Sequence, residues 1–185
     1  MPVAALTKER YFEAAFDIIA TEGFDGLTIT ALCQRLDVTI GSFYHHFKGS
    51  KAFLEAFYRY WETEHAYRLV EQVRVEDDPV ARLGLLKKVS AGLPHEAEAA
   101  IRAWSRRHPD AAAAQRRVDD ARIDVVVETL RRIGLPPGRA KTLGVMAVGV
   151  LVGAQQLGRA DDPALMRKVF DELESWLGNA ASSGA

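Results

Sequence analysis

Residues 27–54, LTITALCQRLDVTIGSFYHHFKGSKAFL, decide the reading of this chain. They predict two short helices joined by a tight turn, then the start of a longer helix. Thr28 is placed to cap the first helix with its hydroxyl. Ile29, Leu32 and Leu36 recur at three- and four-residue spacing and lay down one apolar face. Asp37 and Val38 form the joint, because aspartate tolerates left-handed backbone better than most non-glycine residues. Thr39 opens the second helix, whose inward face is Phe43 and Phe47 with either Ile40 or Val38. The other face carries Thr39, Ser42, Tyr44, His45 and His46, small or planar hydrogen-bonding groups with no carboxylate among them. A helix lying in a major groove needs that combination: donors and acceptors for base edges and phosphates, and no anion to repel the backbone.

At these residues the chain resembles the TetR family of one-component transcriptional repressors. The shared features are Thr28 before the first helix, Gly41 near the start of the second, the run Phe43-Tyr44-His45-His46-Phe47, and Lys51 with Leu54 opening the next helix. The resemblance covers roughly the first third of the chain and is more specific than a bare helix-turn-helix. Asp37 stands where the family usually has Gly, and Ile40 where a polar or basic residue is usual. Ile40 is therefore expected to pack on a thymine methyl or on protein. The resemblance implies DNA contacts from Thr28, Thr30, Thr39, Ile40, Gly41, Ser42, Tyr44, His45, Lys48 and Lys51.

The charge balance is unusual for a DNA binder. The net charge is −1, and residues 1–51 hold five cations against six carboxylates. A basic footprint must therefore come from placement. Lys48, Lys51 and the two histidines fall together in residues 39–51, which contain no acid. Apolar residues make up 48% of the 185, enough for a sizeable core and too many for a disordered chain. The single Cys33 excludes an internal disulfide and suits a reducing compartment. Residues 1–20 carry acids and no continuous apolar run, so a secretory signal is not expected and a cytoplasmic location is.

Outward from this stretch the pattern is helical throughout. Residues 7–22 read as a helix capped by Thr7, with Phe12, Ala15, Phe16 and Ile19 inward and Gly23 as its end. From Ser50 to Val75 there is neither Gly nor Pro, which predicts a rod about 37 Å long. Prolines and glycines then punctuate helices near 79–92, 95–107, 110–133, 138–157 and 163–177. No hairpin signal or sustained alternation appears. The expected fold is all-α with about nine helices, divided into a DNA-binding head at 1–50 and an effector-binding and dimerisation body at 51–185. Residues 142–157, TLGVMAVGVLVGAQQL, are apolar on nearly every side but too short to span a membrane. They predict a helix covered by its own domain on one side and by a partner on the other. The resemblance implies a homodimer through 138–157 and 163–177, with Val169, Phe170, Leu173, Trp176 and Leu177 on the second helix.

No catalytic constellation emerges. His45 and His46 are adjacent and point about 100° apart on a helix. His65, His95 and His108 lack a spaced Cys or His partner, so no metal site or cofactor is expected. Ser42 with His45 has no third group. The resemblance implies an effector pocket within the helical body, with Trp61, His65, Trp104 and Met146 as candidates. The resulting expectation is a repressor released from a double-stranded operator by a small apolar or amphipathic molecule. A helical enzyme or carrier using the same cavity, and an interaction module that has kept the helix-turn-helix shape without binding DNA, are the alternatives.

Overall fold

A computed structural model of the chain describes residues 7–182, with side chains to Trp176. Among the described residues every regular element is a helix. The order is α1 (Lys8–Glu22), a 3₁₀ turn (Phe24–Gly26), α2 (Ile29–Leu36) and α3 (Ile40–His46). The rod α4 follows at 50–74, made of Ser50–Glu62, a π turn at Thr63–Tyr67, and Arg68–Arg74. The body continues with α5 (Pro79–Ala91), α6 (His95–Ser105), α7 (Pro109–Arg132), α8 (Pro137–Gln156) and α9 (Pro163–Ser182). Counting α4 as one rod, the described residues form nine helices. None of them is long and apolar enough to cross a membrane.

The local signals account for most boundaries. Thr28 Oγ1 accepts from the Ala31 N–H at 3.0 Å, and Thr39 Oγ1 from Ser42 N–H at 3.3 Å. Asp37 takes the left-handed conformation (φ 53°, ψ 50°), and the Val38 N–H closes back on the Cys33 carbonyl at 2.9 Å. That closure turns the chain sharply enough to set α3 across α2. Asp78 accepts from the Val80 and Ala81 amides, and Asp162 from those of Ala164 and Leu165, each just before a proline-led helix. Two expectations need correcting. Thr7 precedes α1, but its hydroxyl accepts no capping bond from the helix amides. Gly178 does not end α9, which runs on to Ser182.

The first core is aromatic. Tyr11, Phe12, Phe16, Phe43, Phe47, Phe53 and Phe57 are all buried together. Tyr11 meets Phe43 and Phe47 edge-on, with centroids 5.8 and 5.5 Å apart. Such pairs add roughly 0.5–1.5 kcal/mol each beyond their area burial. Trp61, Ala97, Ile101 and Val118 belong to the same cluster, so α4, α6 and α7 grip the head directly. In the body, α8 lies so close to α7 that a Cβ on Gly144 would stand 2.6 Å from Val127 Cγ2. Smaller apolar clusters join Leu93, Leu151, Met166 and Phe170, and Val70, Val73 and Val125.

The π turn was not legible in the sequence, which has no Gly or Pro there to widen a helix. It sits where α7 reaches across: Arg122 Nη2 donates to the His65 carbonyl at 2.9 Å. A main-chain acceptor drawn to a side chain outside its own helix accompanies the wide turn, a feature frequent at functional sites.

Candidate nucleic-acid interface and ligand cavity

Three elements build the first site: the end of α2, the whole of α3, and the first turn of α4. Phe43 and Phe47 anchor α3 in the aromatic core. With those two held inward, helical geometry turns Ile40 and Tyr44 outward. Ile40 is 51% exposed and Tyr44 56%. Val38, not Ile40, supplies the inward apolar contact. Thr28, Thr30, Thr39, Gly41, His45, Lys48 and Lys51 are likewise exposed. All of the sequence-predicted set except Ser42 is thus exposed; no carboxylate occurs between residues 38 and 54, while exposed Asp37 adjoins Thr30, Thr39 and Ile40.

Ser42 and His46 depart from the expected outward face. Ser42 is half-buried, and its hydroxyl accepts from Tyr11 Oη at 3.3 Å. His46 is also half-buried, with its ring 5.5 Å from that of Tyr11. Tyr11 itself is fully buried, which raises its pKa, so it stays a neutral donor. Ser42 therefore steadies α3 on α1 and keeps its own hydroxyl proton to donate. Lys8 is a cation the sequence reading passed over. Its Nζ lies 5.7 Å above the Phe47 ring, beside the end of α3. Only the packing of α1 on α3 brings it there. Glu22 pairs with Arg35 at 3.2 Å, which takes one carboxylate of the acidic head out of play.

The second site is a cavity of about 100 Å³ in the body. Helices α4, α5, α7, α8 and α9 wall it. Most of its lining is apolar, including Leu69, Val73, Leu86, Val125, Leu151 and Phe170. Of the four residues expected there, the structure places only His65 on the wall. Trp61 is fully buried in the head's core. Trp104 is stacked between Phe24 and His108, at 4.3 and 3.5 Å. Met146 is 42% exposed on the outside of α8. Each takes a place set by tertiary packing, which the sequence pattern does not reveal. Phe170 and Leu173, expected to face a partner, point inward to this cavity instead.

Beside the cavity lies a buried ionic network. Arg122 grips Glu98 with two bonds, Nη1 to Oε2 at 2.9 Å and Nη2 to Oε1 at 2.6 Å. Gln155 Nε2 donates to Glu98 Oε2 at 2.8 Å. Burial pushes the Glu98 carboxyl up, but the Arg122 charge and the hydrogen bonds outweigh it, and the group ends below its ordinary value. His65 moves the other way for its type: burial lowers it, only partly offset by Glu98. Its ring is accordingly neutral near pH 7. Among the described residues no cluster of three His, Cys, Asp or Glu side chains is arranged to hold a metal.

An exposed, acid-free recognition helix on a capped two-helix turn, braced by α1, defines a helix-turn-helix DNA-binding regulator. Residues 12–57 match the model of bacterial regulatory proteins of the tetR family, and the match supports a DNA-binding transcriptional regulator. No curated protein matches by sequence. Solved structures share the fold over nearly the whole chain. A TetR-family transcriptional regulator from Streptomyces coelicolor is 19% identical, with a TM-score of 0.74, covering 93% of this chain and 94% of its own. The regulator FadR from Bacillus subtilis, in complex with stearoyl-CoA, is 15% identical at 0.67, covering 90% and 97%. A regulator from Saccharomonospora viridis, in complex with choline, is 19% identical at 0.74, covering 89% and 93%.

Proposed function

We propose that the chain is a homodimeric repressor that acts in the cytoplasm by binding, not by turnover, and leaves its operator when a small molecule fills the body cavity. The observation that carries the DNA assignment is the outward face of α3, with Ile40 and Tyr44 half exposed and no acid on the helix itself. On this reading Tyr44 Oη, Lys48 and Lys51 take phosphates, with Lys8 as a further cation. Thr39, Gly41 and His45 approach base edges, Thr28 and Thr30 flank the groove, and Ile40 meets a thymine methyl. Ser42 steadies α3 and can donate one bond outward. The proposed division is a DNA-binding head at 1–50 and an effector and dimerisation body at 51–185.

The dimer reading is supported by what α8 leaves uncovered. Val145, Met146 and Gly149 are exposed on its outer side, and Val152 is half-exposed. A Cβ on Gly149 or Gly153 would meet nothing within 4 Å, so a second helix has room to approach closely. On α9 the matching outward residues are Leu165, Val169 and Trp176; Leu177 lies outside the described side chains. An isologous pair of such faces is the commonest way to close an oligomer. The ligand-bound neighbours differ so much in ligand that they support effector binding without naming an effector.

The test is footprinting on DNA flanking the chain's own gene. Protection of a two-fold site with half-sites about one helical turn apart is expected. Tyr44→Phe and Lys51→Ala should each weaken it about five- to tenfold with the dimer intact. No protected site, or full affinity in both variants, would discard the assignment.

A further inference from the structure

The cavity wall selects among ligands by charge. Five polar side chains reach it: His65, Lys87, Ser90, Arg122 and Glu174. Every charge among them already has a counter-charge in the chain. Arg122 is held by both oxygens of Glu98 and by the His65 carbonyl. Lys87 Nζ bonds Asp171 Oδ1 at 2.9 Å and Glu174 Oε2 at 2.5 Å. The groups left over are the His65 ring and the Ser90 hydroxyl, whose side chains make no hydrogen bond to the described residues. Deep in the cavity an anion would have to pull Arg122 from Glu98 and leave a buried carboxylate unpaired. On the more exposed side Lys87 stands between two carboxylates, so that cluster is net negative and repels an anion. A cation can meet Glu174 there, but must give up its water to lie against the apolar wall. A neutral body loses nothing on entering an apolar cavity of this kind.

Resting on the reading of this cavity as the effector site, we infer that it takes a compact uncharged molecule, an apolar body with one hydroxyl or carbonyl for His65 and Ser90. His65 is also a wall residue that touches the head. Its ring packs edge-on against Phe16 of α1, with centroids 4.7 Å apart, and its backbone lies in the π turn of α4. A ligand bonded to His65 therefore bears directly on the helix that braces α3.

The test titrates the full chain by calorimetry with cyclohexylmethanol, cyclohexanecarboxylate, cyclohexylmethylammonium and their benzyl counterparts, and measures operator retention in parallel. The alcohols are expected to bind at least about tenfold tighter than either ion. An ion that binds as well, or no binding by any member, overturns the inference. His65→Leu should erase the preference for cyclohexylmethanol over methylcyclohexane; an unchanged preference removes His65 from the site. The double variant Asp171→Asn, Glu174→Gln frees Lys87 and should bring the carboxylates in. If they still fail to bind, charge pairing is not what excludes them, and the inference falls. Alcohols that bind while DNA stays bound would leave the ligand class standing and sink the effector reading instead.

Discussion

The head and the body are held together by different chemistry. Around the N-terminal helices, seven aromatic side chains from α1, the end of α3 and the start of α4 pack ring against ring, and most of the polar groups of α3 point outward. In the body, the apolar clusters are smaller, and a buried ion pair with its hydrogen-bonded neighbours sits among them. A dry aromatic core fixes one geometry, as a helix read by a DNA groove requires. A cavity walled in part by Arg122 and by His65 of the π turn, with Glu98 and Gln155 bonded behind Arg122, combines packing with polar contacts. Such regions are where ligand-driven shifts in population arise.

The contrast is broken most sharply by Phe43→Ala. It removes a fully buried ring that touches Tyr11, Phe47 and Phe53. A loss of about 3–5 kcal/mol is expected in urea unfolding, with DNA binding lost alongside. Arg122→Met should cost about as much, because it strands the Glu98 carboxylate. Here the two regions part: adding Glu98→Leu to Arg122→Met should restore part of the stability, since a buried ion pair can be replaced by apolar groups at little cost. No second change in the head should rescue Phe43→Ala. If the Glu98/Arg122 double variant is as unstable as the single one, the body's network is a stability device like the head's core.

Val145→Asp, on the outer side of α8, is expected to yield monomers by light scattering while α-helical circular dichroism persists; dimers that survive it would move the interface elsewhere. The smallest effect is on pH. The folded chain holds His65 below its ordinary value of about 6.5, so the unfolded chain binds the extra proton. Its contribution is present above that value and is lost as pH falls through it. Glu98, also lowered, adds a further loss in the ordinary carboxylate range. His65 is faced by Glu64, Glu98 and Arg122. The urea midpoint should drop modestly between pH 7.5 and 5.5, and His65→Leu should flatten that drop.

The head was legible because its signals are local. Caps at Thr28 and Thr39, the turn at Asp37, and the Phe43/Phe47 spacing each act within a few residues, and together they fix which side of α3 faces out. The outward pointing of Ile40 followed only once Val38 was seen to take the inner position. The partners of Ser42 and Lys8, Tyr11 on α1 and Phe47 at the end of α3, lie thirty or more residues away, so local spacing does not reveal them. The body's helices were legible from Pro and Gly punctuation, but its cavity was not. Which of Trp61, Trp104 and Met146 faces a cavity depends on how five helices cross, and no spacing in one sequence encodes that. The Glu98–Arg122 pair, twenty-four residues apart on two helices, left no periodic trace.

The most direct test of the DNA-reading surface is the salt dependence of operator affinity for the intact chain and for Lys51→Ala. A phosphate contact at Lys51 predicts a steep linear fall of log K with log salt, and a slope shallower by about one in the variant. A slope near zero, or one unchanged by the substitution, would contradict the assignment of the α3–α4 face to DNA.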